Sequence, residues 1–526
     1  MNNEPITKVY LLDVPLESDY KNTLYFTNAT DQLNYFRSKI IGTYEYSNFT
    51  YQRKDNIIRI PEQYDKIYNC NYVMYQNSNY SNKWFYAFVT DLEYISDGRT
   101  DLHIKTDAIQ TWLFDYIVKP SFVEREHTNN DTAGNNLVEE GLELGEYTCV
   151  GHSIDTNLND TNSDLCYIIG CTKEIDPFDV SQTPADSGGY KYNGIYSGVK
   201  YYRYDTSASI DIVLEYLASK GVSDAITGIF MIPKILAPIE SGTNHTVAES
   251  DNAYSYNYSV GKNASLDGYI ARNQKLTTYP YCYLLASNNQ GGSAIYHYED
   301  FYTTACTFKV KSCLTPGGSI RLIPQSFKGI TSNDEEGLNL GKYPVCNYAV
   351  DMYTNWLTQN SINIPLEYAS NITQTIGGAV SMLIPGGQIS GASMMANGLI
   401  GIGNTMSEKY KASLVPPQAR GNLNCGDVIT STNTNSFHFY NMSIKYNQAE
   451  IIDGYFDMYG YKTNLVKVPN TNHRANWWFT KTISCNIVGN IPQNDLEEIK
   501  SCYNNGITFW RNPNNIEDYS LDNSII

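Results

Sequence analysis

The sequence is short of charge, and most of all of positive charge. Only 17% of its 526 residues are Asp, Glu, Lys or Arg, against about 25% in an ordinary soluble domain. The 55 acidic residues outnumber the 37 basic ones and leave a formal charge of −18. Because phosphate contacts need clustered Lys and Arg, this composition argues against a protein that binds nucleic acid tightly.

Long apolar runs are missing as well. No stretch reaches the length of about 18 apolar residues that marks a membrane-spanning helix. Residues 1–5 have neither the basic nor the apolar part of a secretory signal, so we expect no signal peptide. The eleven cysteines are scattered without C-x-x-C spacing, which predicts reduced and mostly buried thiols rather than a zinc or redox site.

Motifs of known catalytic sites are also lacking. The sequence has no G-x-S-x-G, no H-E-x-x-H, no Walker loop and no EF-hand loop. The seven histidines lie far apart in the chain and are expected to be surface or hydrogen-bonded structural residues. The acidic run 139–146 could supply glycosidase carboxylates, but a solvated loop or strand edge fits it better. We predict no catalytic residue, no metal, no cofactor and no enzyme activity.

Polarity comes mainly from uncharged side chains. The chain holds 46 Tyr beside 17 Phe and 6 Trp, and 42% of its residues are apolar. This is too apolar and aromatic for a disordered chain, and Tyr and Thr favour strands. We therefore predict a folded, mainly β protein with a few short helices (α+β) that assembles with other subunits.

Local patterns place some of these elements. Strands are predicted at Ile57–Ile60, Trp84–Tyr94, Ile229–Ile232, Tyr455–Val468 and Trp477–Val488. Helices are predicted at Asp31–Phe36 with Thr30 or Asn28 as cap, at Ser209–Leu217 ending before Gly221, and after a cap at Asn494 with Gly506 beyond the end.

One segment differs from the rest of the chain. Residues 368–407 contain no Asp, Glu, Lys, Arg or His, and they hold eight Gly and four of the ten Met. Pro385, Gly386 and Gly387 divide the segment into two arms, each close to the ~20 residues of a bilayer-crossing helix. Small residues allow close helix packing, and Met adapts to varied surroundings. From composition alone, a stored and later inserted hairpin and a buried glycine-rich helix pair or loop fit equally well.

Several motifs in order along the chain resemble one protein family. These are Asp13–Pro15, Asp19–Asn22, Asn82–Thr90, Gln110–Trp112, Phe114–Asp115, Phe122–His127, Gly460–Lys462 with Lys467, Pro469 and Asn470, Asn494–Ile499, and Asn505–Trp510. Together they resemble the tail-knob, or distal tail tube, protein of small short-tailed phages of Gram-positive bacteria. Residues 151–330 match only loosely, around Tyr279–Cys282.

The resemblance implies β-barrel-like tube-forming domains in a hexameric ring through which DNA leaves without sequence-specific binding. It also implies an apolar loop that plugs the lumen and later helps to form a pore in the host cell membrane. We thus predict a tube-forming β domain at 1–150, a middle, outer knob domain at 151–330, a second tube-forming β domain at 331–367 with 411–526, and the loop at 368–410.

Membrane insertion and plugging are assigned to the apolar and glycine residues of this loop. They are Ile376, Gly377, Gly378, Met382, Leu383, Ile384, Pro385, Gly386, Gly387, Ile389, Gly391, Met394, Met395, Gly398, Leu399, Ile400, Gly401, Ile402 and Gly403. Expected partners are five further copies, the tail proteins of the upper tube or collar, the passing DNA and the host membrane. The expected location is the virion, after assembly in the host cytoplasm.

Two alternatives remain at this stage. The negative charge fits a lumen wall that repels DNA, and it equally fits a chain that is merely kept soluble. The Tyr- and Asn-rich middle region also suits a receptor-binding or wall-degrading tail tip, because such residues are common on recognition surfaces.

Overall fold

The structure is a computed structural model. It describes residues 7–47, 50–52, 56–77, 81–158, 165–175, 184–222, 225–289, 291–315, 318–332, 336–342, 345–346 and 436–526. Among these residues, none of the helices combines the length and apolarity that crossing a bilayer would take.

Strands dominate, and in chain order they are β1 (Thr7–Leu12), β2 (Asn22–Leu24), β3 (Ile40–Ser47), β4 (Thr50–Gln52), β5 (Ile57–Ile60), β6 (Tyr72–Asn77), β7 (Trp84–Ser96), β8 (Arg99–Thr106), β9 (Tyr116–Val118), β10 (Ser121–Glu126), β11 (Tyr147–Ile154), β12 (Leu165–Cys171), β13 (Tyr190–Tyr192), β14 (Ile195–Ser197) and β15 (Lys200–Tyr204). The second half adds β16 (Ile226–Pro233), β17 (Tyr254–Gly261), β18 (Cys282–Ser287), β19 (Ser293–Tyr296), β20 (Ala305–Ser312), β21 (Ser319–Phe327), β22 (Ile330–Ser332), β23 (Leu338–Lys342), β24 (Val345–Cys346), β25 (His438–Ile444), β26 (Tyr461–Lys467), β27 (Trp477–Ser484), β28 (Ile487–Gly489) and β29 (Ile507–Trp510). The prediction of a mainly β protein is confirmed.

The α-helices of the described residues are α1 (Ala29–Ser38), α2 (Ala108–Trp112), α3 (Ser207–Ser219), α4 (Tyr446–Tyr459) and α5 (Gln493–Asn505). The predicted helices α1 and α3 are confirmed, and Asn28 caps α1 by accepting a hydrogen bond from the Asp31 N–H. Two details were wrong. Tyr455–Tyr459 closes α4 rather than opening a strand, and Asn494 lies inside α5, which starts after Pro492.

The chain forms two compact units. The first unit consists of residues 1–145, 269–276 and 446–526, and the second of residues 146–268 and 277–445. The chain therefore leaves the first unit, returns to it for eight residues, leaves again, and comes back at α4. The four-segment division expected from the sequence stays a prediction.

The first unit contains a seven-stranded antiparallel sheet in the order β3-β1-β6-β7-β8-β5-β4. Its end strands β3 and β4 are separated by only two residues of chain. The facing ends Ser47 and Thr50 can thus be no more than about 11 Å apart. The sheet must therefore curl until its edges approach each other. Its interior is a core of Val, Leu and Ile side chains, including Val9, Val73 and Leu102.

A five-stranded sheet, β2-β29-β27-β10-β26, and a two-stranded sheet, β9-β28, complete the strands of the first unit. The five-stranded sheet is the larger of the two. Its inner face packs with α1, α2 and α5 against the outer face of the curled sheet, around Trp477, Trp478 and Trp510. Alternation along β6 explains how one strand serves both cores, since Tyr72 and Met74 face this core while Val73 and Tyr75 face the other.

The second unit is built from three larger antiparallel sheets. They run β11-β25-β18-β19, β15-β12-β16-β24, and β17-β20-β21-β22 with β23 beside β21. One continuous core joins them, and it includes Phe230, Leu284, Phe308 and Phe439. The short hairpin β13-β14 forms a two-stranded sheet of its own; Tyr192 of this hairpin is buried in the same core, and Ile195 and Tyr196 are exposed.

Candidate functional site

The residues predicted for plugging and membrane insertion, from Ile376 to Gly403, lie outside the described residues. The structure does describe the chain on either side of the stretch 347–435. Before this stretch lies β24, which pairs with Ile229 and Phe230 of β16, and after it lies β25. Both strands belong to the second unit, so that unit holds both ends of the stretch.

The return strand is firmly held. β25 pairs with β11 on one side and with β18 on the other, and Phe437 and Phe439 are buried in the core. The Asp155 N–H also donates to the carbonyl oxygen of Phe437 at 3.0 Å. In contrast, β24 is a two-residue strand at the end of its sheet. The chain after the stretch is therefore fixed more strongly than the chain before it.

Two histidines meet at the start of β25. The Nε2 atom of His152 lies 3.1 Å from Nδ1 of His438, and the ring of Tyr440 stacks on His152 with centroids 4.6 Å apart. Burial lowers the pKa of His438, and the neighbouring His152 lowers it further. Adding protons to both rings would place like charges side by side in this sheet.

In the first unit, the carboxylate of Asp453 on α4 is fully buried. It accepts hydrogen bonds from the Tyr269 hydroxyl at 2.8 Å, from the Arg272 N–H at 2.8 Å, and from the Asn273 N–H at 3.1 Å. The side-chain amide of Asn273 adds another at 2.8 Å. One carboxylate thus fixes the segment 269–276 to α4 by four donors.

A second buried carboxylate, Glu140, supports the same segment. It forms ion pairs with Arg125 of β10 and with Lys275, and it accepts from the Lys462 N–H at 3.0 Å. Lys275 also donates to the carbonyl oxygen of Val138 at 2.6 Å, and burial lowers its pKa. The predicted solvated acidic run therefore holds one residue, Glu140, that is an internal ion-pair partner.

The turn from α4 into β26 depends on Gly460. Its φ is +64°. A Cβ atom at this position would clash with the carbonyl group of Glu126 and the main-chain nitrogen of His127, because it would lie closer to them than van der Waals contact allows. Glycine alone fits this left-handed, crowded position without strain. The carbonyl oxygen of Gly460 in turn accepts from Arg125 at 2.8 Å, which joins the turn to the Glu140 ion pairs.

His127 lies beside this turn and is buried as a neutral ring. Its Nδ1 accepts from the Phe479 N–H at 2.8 Å, and its Nε2 donates to the Asp457 carbonyl oxygen at 3.0 Å. Burial, followed by the charge of Arg474, lowers the pKa of His127 to about 3. A proton on Nδ1 would remove the acceptor that the Phe479 N–H needs.

Replacement of His127 by Gln is expected to make the free energy of unfolding fall less steeply as the pH is lowered below about 6.5. The pKa of His127 is about 3 in the fold and about 6.5 in an unfolded chain. The neutral His127 ring therefore contributes its full share to the free energy of unfolding above pH ~6.5. This contribution declines by up to about 1.4 kcal/mol per pH unit as the pH falls toward 3. Gln offers a similar donor and acceptor without titrating.

The measurement is urea unfolding of both proteins at several pH values. The raised pKa values of Asp457 and Asp107, each about 6 because of burial, act in the opposite direction. They are common to both proteins and cancel in the difference. An unchanged difference between the two proteins from pH 7 to 4 would contradict this role for His127.

The buried polar groups of the first unit, Asp453, Glu140 and His127, form their hydrogen bonds and ion pairs with other segments of the same unit. Among the described residues, no three His, Cys, Asp or Glu side chains are grouped so that they could hold a metal ion. Their hydrogen bonds and ion pairs go to neighbouring chain segments, which suits a protein whose geometry must be held firmly.

Comparison with known proteins first defines the class. Residues 6–117, which include the curled sheet, match the Caudoviral major tail protein N-terminus. This part of the chain is thus similar to a class of phage tail proteins. Residues 245–524, more than half of the chain, match the C-terminal domain of tail knob protein gp9 of Bacillus phage phi29. The chain belongs to this tail knob family, and it is a structural component of the virion.

Relatives over the full length agree. The chain is 26% identical to tail knob protein gp9 of Bacillus phage PZA, covering 98% of each chain. It is also 25% identical to the gp9 of phage phi29, again covering 98% of each. The tail knob protein gp12 of bacteriophage C1 shares the fold, with a TM-score of 0.62 at 14% identity, over 99% of this chain and 100% of that one. The predicted family resemblance is confirmed.

Proposed function

We propose that six copies of this chain form a ring at the end of the phage tail and surround the channel through which the genome leaves. The apolar segment 368–407 of each copy fills the lumen before infection and afterwards inserts into the host membrane to help form a pore. The observation that carries this proposal is a forty-residue stretch without an ionisable group inside a tail knob protein.

The physical reason is the mismatch between this stretch and water. Its apolar residues have no charged neighbours to solvate them, yet its glycines weaken any isolated helix. Packing of several copies within a ring keeps such a stretch away from water, because small residues allow close approach. Once outside, the two arms have about the length needed to enter a bilayer. The firmly held β25 then serves as the tether on the virion side.

The remaining partners follow from this arrangement. A ring at the tail end joins the tail proteins of the upper tube or collar, and its role is structural rather than enzymatic. Six copies carry six times the formal charge of −18, and acidic walls would keep DNA from adhering during passage. The receptor-binding or wall-degrading alternative stays a prediction, and turnover of cell-wall polysaccharide would support it.

Insertion is tested by a single charge. Ile400→Asp is expected to reduce dye release from liposomes strongly, because Ile400 lies near the middle of the second arm and a carboxylate at the bilayer centre costs about 2.5–3.5 kcal/mol on insertion scales. The assay compares rings of both proteins at equal concentration under acidic conditions. Ile195→Asp is the matched control, since Ile195 is exposed on β14 of the second unit. Equal leakage from Ile400→Asp and the wild type would contradict insertion of this arm.

A further inference from the structure

Among the described strands of the first unit, two edges have no partner strand over part of their length. β7 pairs with β6 from Trp84 as far as Phe88, and the N–H of the next residue, Val89, donates to the carbonyl oxygen of Asn71. From Thr90 onward, β7 pairs with β8 alone among the described strands. In the five-stranded sheet, β26 is the last strand in the order, and β10 is its one partner among the strands that the structure describes.

The free part of β7 is acidic and partly apolar. Residues 90–97, named here the acidic edge, expose Asp91, Glu93 and Asp97 together with Tyr94 and Ile95. Glu93 lies 3.1 Å from His103, and Asp97 accepts from the Tyr94 hydroxyl at 2.7 Å. The carboxylate of Asp91 accepts only the neighbouring Leu92 N–H among the described residues. Arg99 at the turn offsets one of these charges.

The free part of β26 is basic and aliphatic. The exposed fraction is 59% for Leu465 and 71% for Val466 of β26, and 51% for Val468 just after the strand. Lys462 lies on the same strand, and the exposed Lys119 precedes β10, with which β26 pairs. These residues, 462–468 with Lys119, are named here the basic edge.

The charge of the basic edge is not cancelled by its neighbours. Lys467 pairs with Glu126, and Lys481 on β27 pairs with Glu124 at 3.0 Å. Lys119 and Lys462, in contrast, have no carboxylate ion-pair partner within the part of the chain that the structure describes. In a chain with a formal charge of −18, this combination of aliphatic side chains and unpaired lysines is unusual.

An open strand edge invites pairing with another chain, and proteins that stay single usually protect it. The basic edge is partly protected, because the Lys462 N–H already donates to the Glu140 carboxylate and Asn464, with φ +50°, lies within the register shift opposite Glu124. The exposed aliphatic residues follow this bulge. The acidic edge has the opposite charge and similar exposed apolar side chains. The two edges are therefore complementary, and they lie on different strands of the same unit.

We infer that the acidic edge of one copy pairs with the basic edge of the next copy, so that the two sheets continue across the subunit boundary. This inference rests on the proposed ring and names its contact surface. Main-chain hydrogen bonds supply affinity in such strand addition, and side chains supply specificity. Because the two edges differ, the contact is head-to-tail, and head-to-tail contacts close into a ring when the rotation permits.

Two charge-reversed variants test the pairing. Lys119→Glu/Lys462→Glu makes both edges acidic, and Asp91→Lys/Glu93→Lys makes both edges basic. Each variant alone is expected to sediment as a single subunit at a concentration where the wild type forms rings, because like charges then meet at every contact. Far-ultraviolet circular dichroism confirms that each variant has folded.

Mixing the two variants in equal amounts is expected to restore rings with alternating subunits. Every contact in the mixture joins an acidic edge to a basic one, and alternation closes only with an even number, as in the proposed hexamer. Rings that persist in either variant alone, or two folded variants that do not assemble when mixed, would overturn the inference while leaving the proposed function intact. A wild type that forms no ring would overturn both.

Discussion

Deletion of residues 372–406 is expected to abolish dye release from liposomes while leaving ring assembly unchanged. The deleted residues lie within the stretch 347–435, and the strands that bracket this stretch, β24 and β25, belong to the second unit. Both strands have their pairing partners outside the deletion, on β16, β11 and β18. The loss should therefore remove the membrane-active element without removing any described strand.

The assay has two readouts, leakage of a trapped dye and electron microscopy of the rings. A matched variant replaces residues 372–406 by a Gly/Ser linker of equal length, which keeps the chain long enough and removes only its apolar character. Both variants should assemble and both should fail to release dye. Leakage from either variant at the wild-type level would exclude this segment as the membrane-active element.

Much of the fold could be predicted because local patterns and the final packing agree. The first half of the aromatic run that forms β7 is buried, with Tyr86 and Phe88 in one core and Ala87 in the other. Asn28 caps α1, as the sequence indicates. Helix α4 was missed for a physical reason. Its buried residues Ala449, Ile452, Asp453 and Phe456 have helical spacing, but a carboxylate occupies one apolar position and aromatic residues of strand propensity end the helix.

The polar cluster of the first unit could not be predicted from local sequence. Asp453 binds residues about 180 positions earlier in the chain, and Glu140 contacts Arg125, Lys275 and Lys462. Nothing in an acidic run distinguishes the one glutamate that will be buried from those that stay in water. The sequence did offer one signal for the turn from α4 into β26. Gly460 lies between two aromatic residues, and a glycine in such a place indicates a turn that needs a left-handed backbone.

Asp453→Ala is expected to lower the free energy of unfolding of the first unit by about 3–5 kcal/mol, the cost of breaking a buried charged network. The substitution leaves the Tyr269 hydroxyl and the main-chain N–H groups of Arg272 and Asn273 without their acceptor. The N–H and the side-chain amide of Asn273 are the buried donors, and each buried donor left without an acceptor costs about 1–3 kcal/mol of desolvation. Asp453→Asn, which retains one acceptor oxygen, should fall between Ala and the wild type.

Urea unfolding followed by tryptophan fluorescence measures this change, because Trp477, Trp478 and Trp510 are buried in the first unit. Glu450→Ala is the matched control, since it removes an exposed carboxylate from the same helix. The control should shift the urea midpoint very little, while Asp453→Ala should shift it strongly with the same slope. If the two alanine variants unfolded at the same urea concentration, Asp453 would not be the residue that fixes segment 269–276 to α4. In that case, the Glu140 ion pairs would have to hold this segment in place.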